Sequence, residues 1–160
     1  MKKLIPLLGI LCMGFQCDSH QDPIVNRGEW WVKNASAQSI WIARGMERGF
    51  ENDLGSVELA PGASRQIFSR ELHILKVPDF NSLYERWSDM PEEDISFEVL
   101  SDDGALLAKW SYSDRSLLGR QFFDESAWSR TQSSGDRVDE IRVVWLFEIS
   151  DDDITQQNNI

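Results

Sequence analysis

The chain holds two imidazoles, His20 and His73. His20 lies in a polar N-terminal stretch and His73 on an expected strand. They cannot build a multi-histidine metal site, and His73 reads as structural or exposed rather than as a general base. Both cysteines, Cys12 and Cys17, fall at the N-terminal end. Beyond them there is no thiolate chemistry, disulfide scaffold or cysteine zinc site. Neither a Gly-x-Ser-x-Gly nucleophile turn nor a phosphate-cradling glycine loop occurs. Carboxylates are plentiful, and hydrolysis of a glycoside needs only two of them across a sugar. Glu47, Glu51 and Asp53 share one glycine-bearing loop, Glu92, Glu93 and Asp94 another, and Asp102 and Asp103 a hairpin. None has a context that sets it apart from solvated surface. Asp151-Asp152-Asp153 offers oxygens to a hard cation but lacks the alternating ligands and the glycine of an EF-hand loop. The expectation is no enzyme, no metal and no cofactor.

Tryptophan is the remaining chemical resource, with seven in 160 residues. A flat indole binds a sugar ring by stacking, provided that one face is exposed. Alternation decides which rings qualify. Trp110 is in phase with Leu106 and Ala108, and Trp145 with Val143 and Phe147, so both belong to the core; Trp87 belongs to the apolar side of a helix. Trp41 opposes Ile40 and Ile42, and adjacent Trp30 and Trp31 face opposite sides of a strand. The candidate ligand-binding rings are Trp41, one of the Trp30/Trp31 pair, taken as Trp31, and Trp128 in the long loop. The competing expectation is that helix and loop cover that second face and every tryptophan is core.

The elements that must position these rings are mostly strands. Period-two alternation runs through Glu29–Lys33 and Gln38–Ala43, read as a first hairpin around Asn34-Ala35-Ser36-Ala37. Ser56–Ala60 and Ser64–Phe68 flank the Pro61-Gly62-Ala63 turn, and Glu71–Val77 follows as a further strand. Asp79 caps one helix, about 79–89, with Phe80, Leu83, Tyr84 and Trp87 on one face and Pro91 ending it. Asp94–Leu100 and Ala105–Tyr112 form a hairpin around Ser101-Asp102-Asp103-Gly104. Residues 113–138 read as a long loop with a short helix around Asp124–Ser129. Asp139–Ser150 is a strand with Ile141, Val143, Trp145, Phe147 and Ile149 on one face and Arg142 and Glu148 on the other. Residues 151–160 read as a solvated tail. The fold class expected is mainly β: an antiparallel immunoglobulin-like β-sandwich, with a small barrel as the alternative.

The N-terminal segment is read as an address rather than as structure. Lys2 and Lys3 precede the apolar run Leu4–Phe15, which is too short for a bilayer span of about 20 residues. Gly14-Phe15-Gln16-Cys17 then leads into polar sequence. This pattern resembles a bacterial lipoprotein signal, with the small Gly14 at the third position before the cysteine. The resemblance implies cleavage after residue 16, lipidation of Cys17 and a tether over 17–28 leading into a domain over 29–150. The alternative is ordinary signal-peptidase cleavage near Gly14, which leaves Cys17 as a free thiol. The stretch Leu59-Ala60-Pro61-Gly62-Ala63-Ser64 resembles the opening of immunoglobulin-like exported domains. With the stretch from Gly119 to Ser129 and the closing Trp145-Leu146-Phe147-Glu148-Ile149, the chain is similar to small exported lipoproteins of Gram-negative gut anaerobes. That similarity implies a fold and a place in the cell envelope, at the outer membrane, and brings no activity or site residues.

Charge bounds the partners. Sixteen bases against 27 acids give −11, and loss of Lys2 and Lys3 with the leader leaves 14 against 27, or −13. Such a chain has no electrostatic footing on nucleic acid. The expected partners are a membrane, reached through lipid on Cys17, and a glycan or protein ligand. The leading expectation is a non-catalytic exported domain serving interaction or envelope structure. Behind it stand a carbohydrate-binding module and an acidic binder of a cationic protein, whose association charge would steer.

Overall fold

A computed structural model describes residues 25–43, 56–73, 75–83, 91–92, 95–116, 119–135 and 139–156. Strands β1 (Val25–Asn34), β4 (Ser64–His73), β7 (Ser129–Ser134) and β8 (Ile141–Ile149) make one sheet in the order β4-β1-β8-β7. Strands β2 (Ile40–Ala43), β3 (Val57–Leu59), β5 (Ser96–Leu100) and β6 (Leu106–Ser111) make the other in the order β3-β2-β5-β6. The molecule is a mainly-β, antiparallel-rich sandwich. One pair departs from antiparallel: β1 runs parallel to β8 at the centre of its sheet. Among the described residues no helix is long and apolar enough to cross a membrane.

The core follows from alternation on those two central strands. Trp30 and Val32 point inward from β1, and Val143, Trp145, Phe147 and Ile149 from β8. The parallel register sets Trp30 opposite Trp145, and their rings stack at 4.7 Å between centroids. Phe97 and Trp110 come from the other sheet, and Phe122 stacks on Phe97 at 4.0 Å. Fully burying aromatic side chains of this size is worth about 1.5–3 kcal/mol each. Gly28 belongs to the same inward row, where a Cβ would lie 2.9 Å from Pro78 Cβ and from the Trp30 ring.

Several boundaries differ from those expected, each for a local reason. Asn34–Ala37 does not close a hairpin, because β1 and β2 lie in different sheets. The buried Asn34 side chain makes a corner instead. Its amide donates to the carbonyls of Gln38 (2.7 Å) and Leu59 (2.8 Å), and its Oδ1 accepts from the N–H (2.9 Å) and hydroxyl (2.7 Å) of Ser36. Its backbone N–H donates to Ala63 O and its carbonyl accepts from Gly62 N–H. The Pro61-Gly62 turn is also a corner, carrying the chain from β3 back to the first sheet, and the two corners are thereby tied together. Ser64–Phe68 and Glu71–Val77 are not two strands. They merge in β4, which runs to His73 and absorbs a bulge opposite Trp30/Trp31.

Strand β1 already takes in Val25–Gly28, ahead of the expected start at residue 29, and these residues pair with Arg70–His73. The long loop over 113–138 contains β7, whose six residues are all exposed and polar and so show no apolar alternation. Its expected short helix is present as a 3-10 turn, Glu125–Ala127, capped by Asp124. Residues 151–156 form a helix, α1 (Asp151–Gln156), where a tail was expected. Ser150 and Asp153 make a capping box at its start, and Ile154 is buried. Asp79 caps a 3-10 turn at Phe80–Leu83, both ends of which are buried. The rest of the expected helix, with Tyr84 and Trp87, lies outside the described residues, as does the leader with Cys17.

Candidate functional site

Inward alternation on β1 and β8 leaves a matching outward row on each. β1 presents Arg27, Glu29, Trp31 and Lys33, and β8 presents Arg142, Val144, Leu146 and Glu148. The parallel register aligns Glu29 with Val144, Trp31 with Leu146 and Lys33 with Glu148. The result is a strip on the outside of the sheet with partly buried apolar side chains at its middle and ion pairs around them. Arg27 pairs with Glu71 of β4, and Lys33 with Glu148 at 2.7 Å.

Glu29 is the chemical centre of the strip. It is 3% exposed although it lies on the outer face. Arg142 grips its carboxylate with two N–H donors at 2.9 and 2.7 Å, and the Trp31 indole N–H donates to it at 2.9 Å. Burial alone raises the Glu29 pKa, but the hydrogen bonds from Arg142 and Trp31 and the charges of Arg142 and Arg27 outweigh it. The net result is a carboxyl held below its ordinary range. Trp31 therefore leans back along β1 toward Glu29, with its indole orientation set by a carboxylate that is itself clamped. The strip offers a pre-oriented, partly buried aromatic ring beside apolar Val144 and Leu146.

The candidate rings do not come together. Trp41 lies on the outside of the other sheet, opposite Glu58 and Leu100. Its Nε1 is buried without a hydrogen-bond partner among the described residues. Trp31 and Trp41 thus sit on opposite outer surfaces and share no platform. Trp128 is a core residue, against the expectation that it binds a ligand. It is 6% exposed, packs on Phe80, Phe122 and Phe147, and donates its N–H to Phe122 O at 2.7 Å, so neither face is open to a sugar. Trp110 and Trp145 are core as expected.

The remaining chemical candidates are dispersed. His73 is exposed at the end of β4 and accepts from Leu75 N–H. Glu92 pairs with Arg115 at 3.0 Å. Asp103 accepts from the Ser101 hydroxyl and the Ala105 N–H, in that order of effect, which lowers its pKa while it shapes the β5–β6 turn. Asp153 is committed to the cap of α1 and to Arg120 at 2.8 Å. Among the described residues no three His, Cys, Asp or Glu side chains are grouped so as to hold a metal ion. Glu47, Glu51, Asp53, Glu93, Asp94 and His20 lie outside the described residues. Glu29 is the one buried acid among the described residues, and no local pattern marks it out. Alternation does place it beside Trp31, but its partner Arg142 is far along the chain and meets it only through the parallel pairing. No protein-family model matches this chain, and no curated protein or solved structure matches it either.

Proposed function

We propose that the chain is an exported protein held at the cell envelope by lipid on Cys17, and that its sandwich is a non-catalytic interaction domain. The observation that carries the second half is the Glu29-clamped Trp31 on the outer strip of β1 and β8. A ring whose N–H is spent on a buried carboxylate loses little rotational freedom on meeting a ligand, and pre-organisation of that kind lowers the cost of binding. A glycan ring stacking on Trp31 is the ligand class this favours. The leader residues Lys2, Lys3 and Gly14–Cys17 support export and lipidation through their resemblance to lipoprotein signals.

The test is tryptophan fluorescence of the full chain titrated with a panel of soluble glycans, compared with Trp31→Ala and Trp41→Ala. Saturable quenching that disappears in W31A and persists in W41A supports the strip as the binding face. Quenching lost only in W41A moves the site to the opposite sheet. No response to any glycan removes the sugar-binding reading. The rival ligand, a cationic protein drawn by a charge near −13, predicts association that weakens steeply as salt rises.

A further inference from the structure

The strand end at which the tether enters the fold also carries an exposed apolar turn. Val25 pairs with His73, so the start of β1 and the end of β4 lie side by side. The chain leaving β4 turns there: Lys76 N–H donates to His73 O at 2.8 Å. Leu75 is 85% exposed and Val77 52% exposed, flanking the exposed Lys76. The third large exposed hydrophobic among the described residues, Leu106, starts β6 at the opposite end of the sandwich, beyond the Asn34 corner. The turn is held rigidly. Buried Asn26 donates its amide to Lys76 O at 3.0 Å and accepts from Ile141 N–H at 2.8 Å, and Pro78 closes on Gly28 immediately after it. A core asparagine and a core glycine therefore flank a turn at which Leu75, Lys76 and Val77 are left in solvent.

We propose that Leu75 and Val77 are a second membrane contact, seated in the headgroup boundary of the bilayer that holds the acyl chains of Cys17. This rests on the lipidated-Cys17 reading above. Val25 follows Cys17 by eight residues, a reach of at most roughly 26–29 Å. The end of the sandwich bearing the turn is thus the end kept near the membrane. Two apolar side chains alone would bind a bilayer weakly. Once an anchor holds the domain, their contact is intramolecular and needs only enough affinity to choose an orientation. Lys76 between them can lay its apolar stem along the boundary and send its ammonium toward headgroup phosphate. Asp139 and Glu140 lie at the same end and oppose anionic lipid, so apolar burial rather than charge is what holds the turn there. The consequence is a domain held with its strands steep to the membrane, which leaves the Trp31 strip facing sideways and reachable.

The test uses the full chain, processed with its leader and reconstituted in phosphatidylethanolamine–phosphatidylglycerol vesicles. Cleavage removes Cys12 and acylation occupies Cys17, so an introduced cysteine is the single free thiol. Leu75→Cys, Val77→Cys and Leu106→Cys, each at an exposed position, carry an environment-sensitive nitrobenzoxadiazole label. The expected result is a blue-shifted emission at 75 and 77 that is quenched by nitroxide-bearing lipids, with no response at 106. Labels at 75 and 77 that behave like the one at 106, on protein that floats with the vesicles, overturn the membrane-contact proposal and leave the anchor standing. Mass spectrometry showing no acyl mass on Cys17 overturns the anchor, and this proposal with it.

Discussion

β1 carries a buried asparagine near each end, and the two hold different kinds of structure. Both Asn34 and Asn26 are fully buried. Asn34 turns its hydrogen-bonding capacity on the fold itself, joining Ser36, Gln38 and Leu59 around one corner while its backbone ties in Gly62 and Ala63. Asn26 spends its side chain on Lys76 O and Ile141 N–H, and so fixes a turn whose apolar side chains stay outside. The same residue, buried to the same degree, closes the molecule at one end and presents something at the other. A buried polar group is thus informative about function only once its partners are followed to what they carry.

The sharpest way to break that contrast is to remove each amide. Asn34→Ala removes the side-chain donor to the buried Leu59 carbonyl and the acceptor of the Ser36 N–H, and an unmet buried group costs about 1–3 kcal/mol. A loss of ~3 kcal/mol or more in urea unfolding is expected. Asn26→Ala should cost about 1–2 kcal/mol, and its hydrogen-exchange signature should be confined to the 75–78 turn and the start of β8. Equal losses, or global loosening in both variants, would mean that the two ends are alike.

The second comparison sets the outer strip of β1 and β8 against the outer face of the other sheet. Glu29 has a clamped, charge-assisted site, whereas Glu98 on the opposite face has only a partly exposed ion pair with Lys109 at 2.9 Å. Because the folded pKa of Glu29 lies below its ordinary value of 4.5, the unfolded chain binds more protons in the window between the two. The stability that Glu29 contributes is complete above about pH 4.5 and is lost as pH falls through its lower folded pKa. Glu29→Gln should flatten that acid limb and cost ~1–2 kcal/mol at neutral pH. Glu98→Gln should cost no more than about 0.5 kcal/mol at neutral pH. An unchanged acid limb in E29Q would show that the Arg142 clamp does not select the charged form.

These contrasts also mark where sequence is legible. Strand β8, the hairpin at Ser101–Gly104, the cap at Asp79 and the burial of Trp110 and Trp145 follow from alternation and turn chemistry, which act over a few residues. Asn34 misleads because the same polar turn serves a hairpin or a change of sheet, and only the distant Leu59 and Ala63 decide. β7 lacks apolar signal because it pairs only with β8 at the sheet edge, where polar side chains keep other strands away. Helix α1 did carry a readable sign, Ser150 three residues before Asp153, but so short a helix depends on Ile154 finding the core. The strip around Glu29 needs β1 beside β8, a parallel pairing between the two ends of the fold that no local pattern announces. Leu75 and Val77 kept strand alternation without the strand, since β4 ends at His73.

The smallest predicted effect probes how far the Asn34 corner is coupled to its neighbour. Gly62 and Gly104 have nearly the same left-handed backbone, φ +79° and +83°, and a Cβ at either would meet nothing within 4 Å. Substitution by alanine at each therefore carries the same intrinsic conformational cost, about 1 kcal/mol. Their surroundings differ. Gly62 N–H donates to Asn34 O at 2.7 Å, whereas Gly104 N–H bonds back within its own hairpin to Ser101 O. A shift of backbone at Gly62 is felt by the corner, and one at Gly104 by a single exposed turn. Gly62→Ala should exceed Gly104→Ala by a few tenths of a kcal/mol, within a total of ~1.5 kcal/mol, and the excess should persist in an Asn34→Ala background, because alanine keeps the backbone carbonyl that Gly62 meets. If the two glycine variants cost the same in both backgrounds, the two corners are adjacent but independent, and the closed end of the sandwich is held by Asn34 alone.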